Sequence, residues 1–110
     1  MEAKNSIFVE TFGETPAVKV LDFFLNFDSF DYSKSQVAEE TSVSRITLNK
    51  IWKELIKQKI IVKTRSIGRA DMYKLDKENP RVRVLQELSL KLASTFAEEE
   101  IAKIKKRVEA

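Results

Sequence analysis

The spacing of apolar residues changes several times along the chain, and each change marks an element. Ile7-Phe8-Val9-Glu10-Thr11-Phe12-Gly13 is apolar but too short to type. Ile7, Val9 and Thr11 alternate as in a strand, whereas Phe8 and Phe12 lie four apart as on a helix. It reads as an ordered segment packed against a neighbour. Thr15 followed by Pro16 supplies an N-cap and a first helical residue, and the helix they open runs to about Phe27. Its polar positions form one narrow stripe at Lys19, Asp22 and Asn26, while Val18, Val20, Leu21, Phe23, Phe24, Leu25 and Phe27 cover the rest. A surface helix of a monomer needs a single apolar face. Two such faces imply packing on the following helices and on a C-terminal helix or a second subunit; the simpler alternative is a small domain that wraps this helix on several sides.

The stretch Tyr32–Leu75 carries the clearest pattern. Ser33 with Gln36 three residues on is a capping box, and Val37 and Ala38 line a short helix that gives out around Thr41. Ser44 caps a longer helix, 44–58, with Leu48, Ile51, Trp52, Leu55 and Ile56 at spacings of three and four. A short helix, a tight turn and a longer helix is the helix-turn-helix arrangement. With Leu48, Trp52 and Leu55 turned inward, Arg45, Ile46, Asn49, Lys50 and Lys53 are left outward. Period-two alternation at Val62–Arg65 and Met72–Leu75 then predicts a two-stranded hairpin, with Ser66-Ile67-Gly68-Arg69-Ala70 as its turn. An Arg beside a flexible tip, directly after a helix-turn-helix, reads as a wing (61–75).

Asn79-Pro80 opens a last helical region with Val82, Leu85, Leu88 and Leu92 on one side; Ile101, Ile104 and Val108 resume the spacing after a slip of phase. Thr95-Phe96-Ala97-Glu98 is itself a capping-box pattern, so the expectation is two helices, about 80–93 and 96–108, or one kinked near Ser94-Thr95. Either way the apolar stripe lies outside the helix-turn-helix and reads as a dimerisation element (79–110) beside a core of 6–78 in a single domain. The residues expected at the subunit interface are Val20, Phe23, Phe27, Leu85, Leu88, Leu92, Phe96, Ile101 and Ile104. Lys103–Arg107 are read as a solvated basic face that complements the helix dipole rather than as a second polyanion patch.

Composition narrows the chemistry. The 110 residues hold no Cys and no His, which removes disulfides, thiolate ligands and the commonest general base and zinc ligand. With Gly13 and Gly68 as the sole glycines there is no Gly-rich phosphate loop, and no catalytic constellation is present, so an enzyme is not expected. Asp28 and Asp31 are read as loop and capping residues, not a metal site, and no cofactor is expected. The chain lacks an apolar run of membrane-spanning length and an apolar leader at Met1–Ser6, so a cytoplasmic protein with no membrane partner is expected. The net charge of +3 hides strong polarisation. Between Arg45 and Leu75 nine basic residues face two acidic ones, a net of +7, whereas residues 1–44 carry three basic and eight acidic ones, a net of −5. A one-signed helix and wing suit a polyanion, because each neutralised phosphate releases counterions.

Three stretches, Phe12–Leu25, Ser33–Leu48 and Tyr73–Pro80, resemble the winged helix-turn-helix transcriptional regulators, especially the small archaeal kind, over roughly residues 6–95. Lys59 departs from the pattern, because many such proteins carry Gly just before the first wing strand; the helix is therefore expected to end differently or to run one turn longer. The resemblance implies a mainly α fold with a small β-hairpin wing and C-terminal dimerisation helix or helices. Residues and resemblance together predict a homodimeric, sequence-specific regulator of double-stranded DNA. Arg45, Ile46, Asn49 and Lys50 would meet bases, Ser35, Thr47, Lys53 and Lys63 phosphates, and Arg65 and Arg69 the backbone or minor groove. The rivals are an architectural nucleoid protein and a winged helix used as a protein-interaction module. Within 110 residues no separate effector domain fits, so a small-molecule response would have to use the dimer interface.

Overall fold

Capping chemistry sets most helix boundaries in the computed structural model, which describes residues 5–109. Ser6 caps α1 (Ile7–Phe12), accepting from the Val9 amide at 3.1 Å, and donates to Asp22 Oδ1 at 2.7 Å, tying α1 to the polar stripe of α2 (Pro16–Asn26). The short apolar segment is therefore a helix, with Phe8 and Val9 buried, and Gly13 at φ 98° ends it. Thr15 caps α2 and Pro16 opens it, as the sequence indicates. Ser33 and Gln36 form the reciprocal capping box of α3 (Lys34–Thr41), and Ser44 caps α4 (Arg45–Lys57).

Helix α2 is the centre of the core. Val20 and Phe24 are fully buried with Val37 of α3, Leu48 of α4, Ile61 and Val82, and Trp52 packs between Phe24 (ring centroids 5.6 Å apart) and Tyr73 (5.2 Å, edge-on). This corrects part of the expected subunit interface. Val20 is 0% and Phe23 8% exposed within one chain, so neither presents a surface to a partner, and the second apolar face of α2 is wrapped by its own domain. Leu85, Leu88 and Leu92 also pack, half-buried, against this core.

The expected hairpin forms as the wing, and a third strand joins it. Strands β2 (Ile61–Ile67) and β3 (Ala70–Leu75) pair antiparallel, and a short strand β1 (Tyr32–Ser33) joins the other edge of β3, giving the order β1-β3-β2. Between Lys63↔Tyr73 and Arg65↔Met72 the register shifts, leaving Thr64 as an extra residue. Strict alternation of burial does not hold in β3, where Met72 and Leu75 are both buried, and β2 begins with Ile61 buried and Val62 46% exposed, ahead of the bulge.

After Lys57 the chain turns through Lys59 at φ 56°. The Lys59 and Ile60 amides donate to the Ile56 and Leu55 carbonyls at 3.0 and 2.9 Å. This is a Schellman cap with Lys in the position that favours Gly, so the helix is not lengthened. Ile56, assigned to the apolar face by spacing, is 41% exposed in that last turn.

Asn79 caps the final helix, its Oδ1 accepting from the Arg81 amide at 3.0 Å. Helix α5 (Pro80–Glu109) is a single helix, not two. Thr95 does not cap a new helix; its hydroxyl donates to the Leu92 carbonyl at 2.7 Å and that of Ser94 to Leu90 at 3.1 Å, inside the existing ladder. At 1.5 Å per residue α5 is about 45 Å long. It stretches the molecule to 60 × 32 × 21 Å, with a radius of gyration of 16.4 Å, against about 13 Å for a globule of similar length.

Candidate nucleic-acid interface

Helices α3 and α4 are joined by Ser42-Val43-Ser44. Ser42 sits in the left-handed region at φ 58°, and buried Val43 anchors the turn. This places the N-terminus of α4 at the surface. Leu48, Trp52 and Leu55 fix its rotation, so Arg45, Ile46, Asn49, Lys50 and Lys53 all stand exposed and Ile46 reaches 76% exposure. Thr47 is half-buried, its hydroxyl accepting from Ser44 at 3.0 Å. Arg45 Nη2 donates to Ser35 Oγ at 2.7 Å, so the first turns of α3 and α4 present one continuous polar ledge.

The wing stands beside that ledge. An open groove runs between them, edged by Lys34, Ser35, Arg45, Lys53 and Arg69 and floored by Trp52 and Tyr73. Lys34, which sequence order assigns to the acidic first third, belongs by position to this basic face; its Nζ lies 5.9 Å from the centroid of the Trp52 ring. The available signal was its place directly after the Ser33 cap, at the same helix end as Ser35. At the wing tip, Gly68 takes φ 61° and Arg69 is exposed next to it.

The wing cations differ in their engagement. Arg65 is exposed, yet its guanidinium grips Asp31 twice, Nε at 2.9 Å and Nη2 at 3.1 Å, and Thr64 Oγ1 donates to the same carboxylate at 2.5 Å. The Arg65 hydrogen bonds, and then that of Thr64, lower the Asp31 pKa to about 2. Lys63 pairs with Asp71 at 3.3 Å, and Asp71 is also held by Ser66 at 2.8 Å; the Ser66 bond, then Lys63, lower its pKa. Asp28 is engaged elsewhere, by Lys77 at 2.9 Å and Gln86 at 2.9 Å. Both loop aspartates thus fasten elements together, Asp31 the wing and Asp28 the start of α5. Spacing could not reveal the Asp31–Arg65 clasp, because its partners lie 34 residues apart.

Among the described residues no helix is long and apolar enough to cross a membrane. No protein-family model matches the chain, and no curated protein sequence matches it. Solved structures do. MepR, a transcription regulator of the Staphylococcus aureus multidrug efflux pump MepA, superposes with a TM-score of 0.60 at 16% identity, over 92% of this chain and 79% of that one. A mutant of ZitR from Lactococcus lactis in apo form gives 0.59 at 20% identity, over 83% of this chain and 76% of its own. Bordetella bronchiseptica BpsR, whose DNA binding is regulated by 6-hydroxynicotinic acid, gives 0.55 at 19%, over 94% of this chain and 84% of its own. The likeness is one of fold: this chain has the winged helix-turn-helix fold, as does MepR.

Proposed function

We propose that the chain is a homodimeric, sequence-specific DNA-binding regulator of transcription. The observation that carries this reading is the rotation of α4, which buries Leu48, Trp52 and Leu55 and leaves Arg45, Asn49, Lys50 and Lys53 on one exposed face beside an exposed wing arginine. Arg can fork onto guanine and Asn can pair with adenine, so a face with both, framed by lysines, suits the major groove. Ile46 supplies an apolar contact for a thymine methyl. Ser35, Thr47 and Lys53 serve phosphates, and Lys63 joins them once it exchanges Asp71 for DNA.

In this mechanism Arg69 meets the backbone or minor groove, while Arg65 orients the wing through Asp31. Two copies of α4 would enter successive major grooves about 34 Å apart on a near-palindromic site. Support for two copies comes from Phe27, Phe96, Ile101 and Ile104, which are 54%, 44%, 54% and 54% exposed.

The test compares one selected site with random DNA at matched salt. Asn49→Ala should lower the preference for the selected site by about 1–3 kcal/mol, whereas Arg69→Ala should weaken both duplexes alike. Undiminished discrimination by Asn49→Ala would remove Asn49 from base reading, and equal affinity of the unaltered protein for all duplexes would point to an architectural protein instead.

A further inference from the structure

Helix α5 carries two apolar stripes. Val82, Leu85, Leu88 and Leu92 turn towards the core. At 100° per residue, Leu90, Ala97, Ile101, Ile104 and Val108 fall within about 60° of one another, on a line rotated by about 140° from the first. That second line is uncovered: Leu90 is 70%, Ile101 and Ile104 54%, and Val108 81% exposed. The slip of phase in the sequence is this change of stripe on one continuous helix.

The uncovered line has the spacing of a coiled-coil seam, steps of four and three from Leu90 through Ser94, Ala97, Ile101 and Ile104 to Val108. The flanking positions are charged in two blocks: Glu98 and Glu100 come first, Lys105 and Arg107 one heptad later. Resting on the homodimer reading above, we infer that two copies of this chain pair their α5 tails antiparallel, centred between Ala102 and Lys103, with the acidic block of each against the basic block of the other. In that register Ile101 meets Ile104 of the second copy and small Ala97 meets Val108. Glu98 then faces Lys105, and Glu100 faces Arg107, on both sides of the seam. A parallel pair keeps only Glu100 opposite Lys105 and stacks Ala97 on Ala97, leaving a gap. Antiparallel packing also opposes the two helix dipoles.

The chain has no cysteine, so single cysteines report the register directly. Ala97→Cys and Val108→Cys proteins, differently tagged and equilibrated together, should form the mixed disulfide on mild oxidation, while neither cross-links to itself. Self-cross-linked Ala97→Cys would mean a parallel pair and would overturn the inference. A dimer by sedimentation with no mixed disulfide would overturn it too, leaving the homodimer reading intact; a monomer at micromolar concentration would sink both. As a second readout, Lys105→Glu with Arg107→Glu should weaken dimerisation at least tenfold, and adding Glu98→Lys and Glu100→Lys should restore it. Unchanged dimerisation in the first variant contradicts the charge pairing.

Discussion

Lys59 holds a backbone conformation that costs an L-residue about 1 kcal/mol or more relative to Gly. It is kept there by its neighbours: Asn79 Nδ2 donates to the Gln58 and Lys59 carbonyls at 3.1 and 2.9 Å, and the Asp76 amide donates to the Ile60 carbonyl at 2.8 Å. Lys59→Gly should therefore stabilise the fold by about 1 kcal/mol, less what the freer unfolded chain takes back, seen as a higher denaturation midpoint at unchanged slope. A lower midpoint would mean that the Lys side chain itself contributes to the cap. Trp52 shows the opposite side of such accounting. It is 2% exposed and fills the space among Phe24, Tyr73 and Leu48, yet its buried Nε1 has no acceptor among the described residues. Trp52→Ala should cost about 3–5 kcal/mol through the cavity left behind, and Trp52→Phe much less, because it removes the orphaned N–H with modest loss of volume.

At the level of elements, helix starts were readable because a cap is a local interaction. Ser33 with Gln36, Thr15 with Pro16, Ser44, and Asn79 with Pro80 all act within three residues, and each cap forms where the sequence places it. The sheet was less readable. Strand β1 is two residues long, too short for alternation to mark, and nothing in the period-two pattern announces the bulge at Thr64 that shifts the register. The wing's anchorage is non-local and titratable. The Asp31 pKa, about 2 when folded, lies below the ordinary carboxylate value of ~3.9. Its contribution is thus complete above about pH 4 and is lost as pH falls towards 2. Asp31→Asn should reproduce that loss at neutral pH, as faster amide exchange confined to the wing; unchanged exchange would show that the clasp does not hold it. The same contact separates the two wing arginines. If Arg65 spends its charge on Asp31, Arg65→Ala should change the salt dependence of DNA affinity less than Arg69→Ala, which should lower the slope by about one per subunit.

For the whole molecule, charge is sorted by region, and the fold sharpens the sorting by moving Lys34 onto the basic face. Affinity for any duplex should fall steeply between low and physiological salt, and a flat response would contradict phosphate contacts. What sequence could not reveal is ownership of apolar surface. Val20 and Ile104 are alike in a hydropathy profile, yet one is sealed inside its own chain and the other is half open to solvent. Only the three-dimensional neighbourhood separates a residue of the core from one awaiting company. The continuity of α5 has a mechanical consequence. No joint separates the turns beside Leu85 from the exposed tail some 25 Å further on, so the rod behaves as a lever. Tilting two tails by about 10° against each other would shift one reading head relative to the other by about 4 Å, enough to move them out of step with the pitch of a duplex while every internal contact of the domain stays in place.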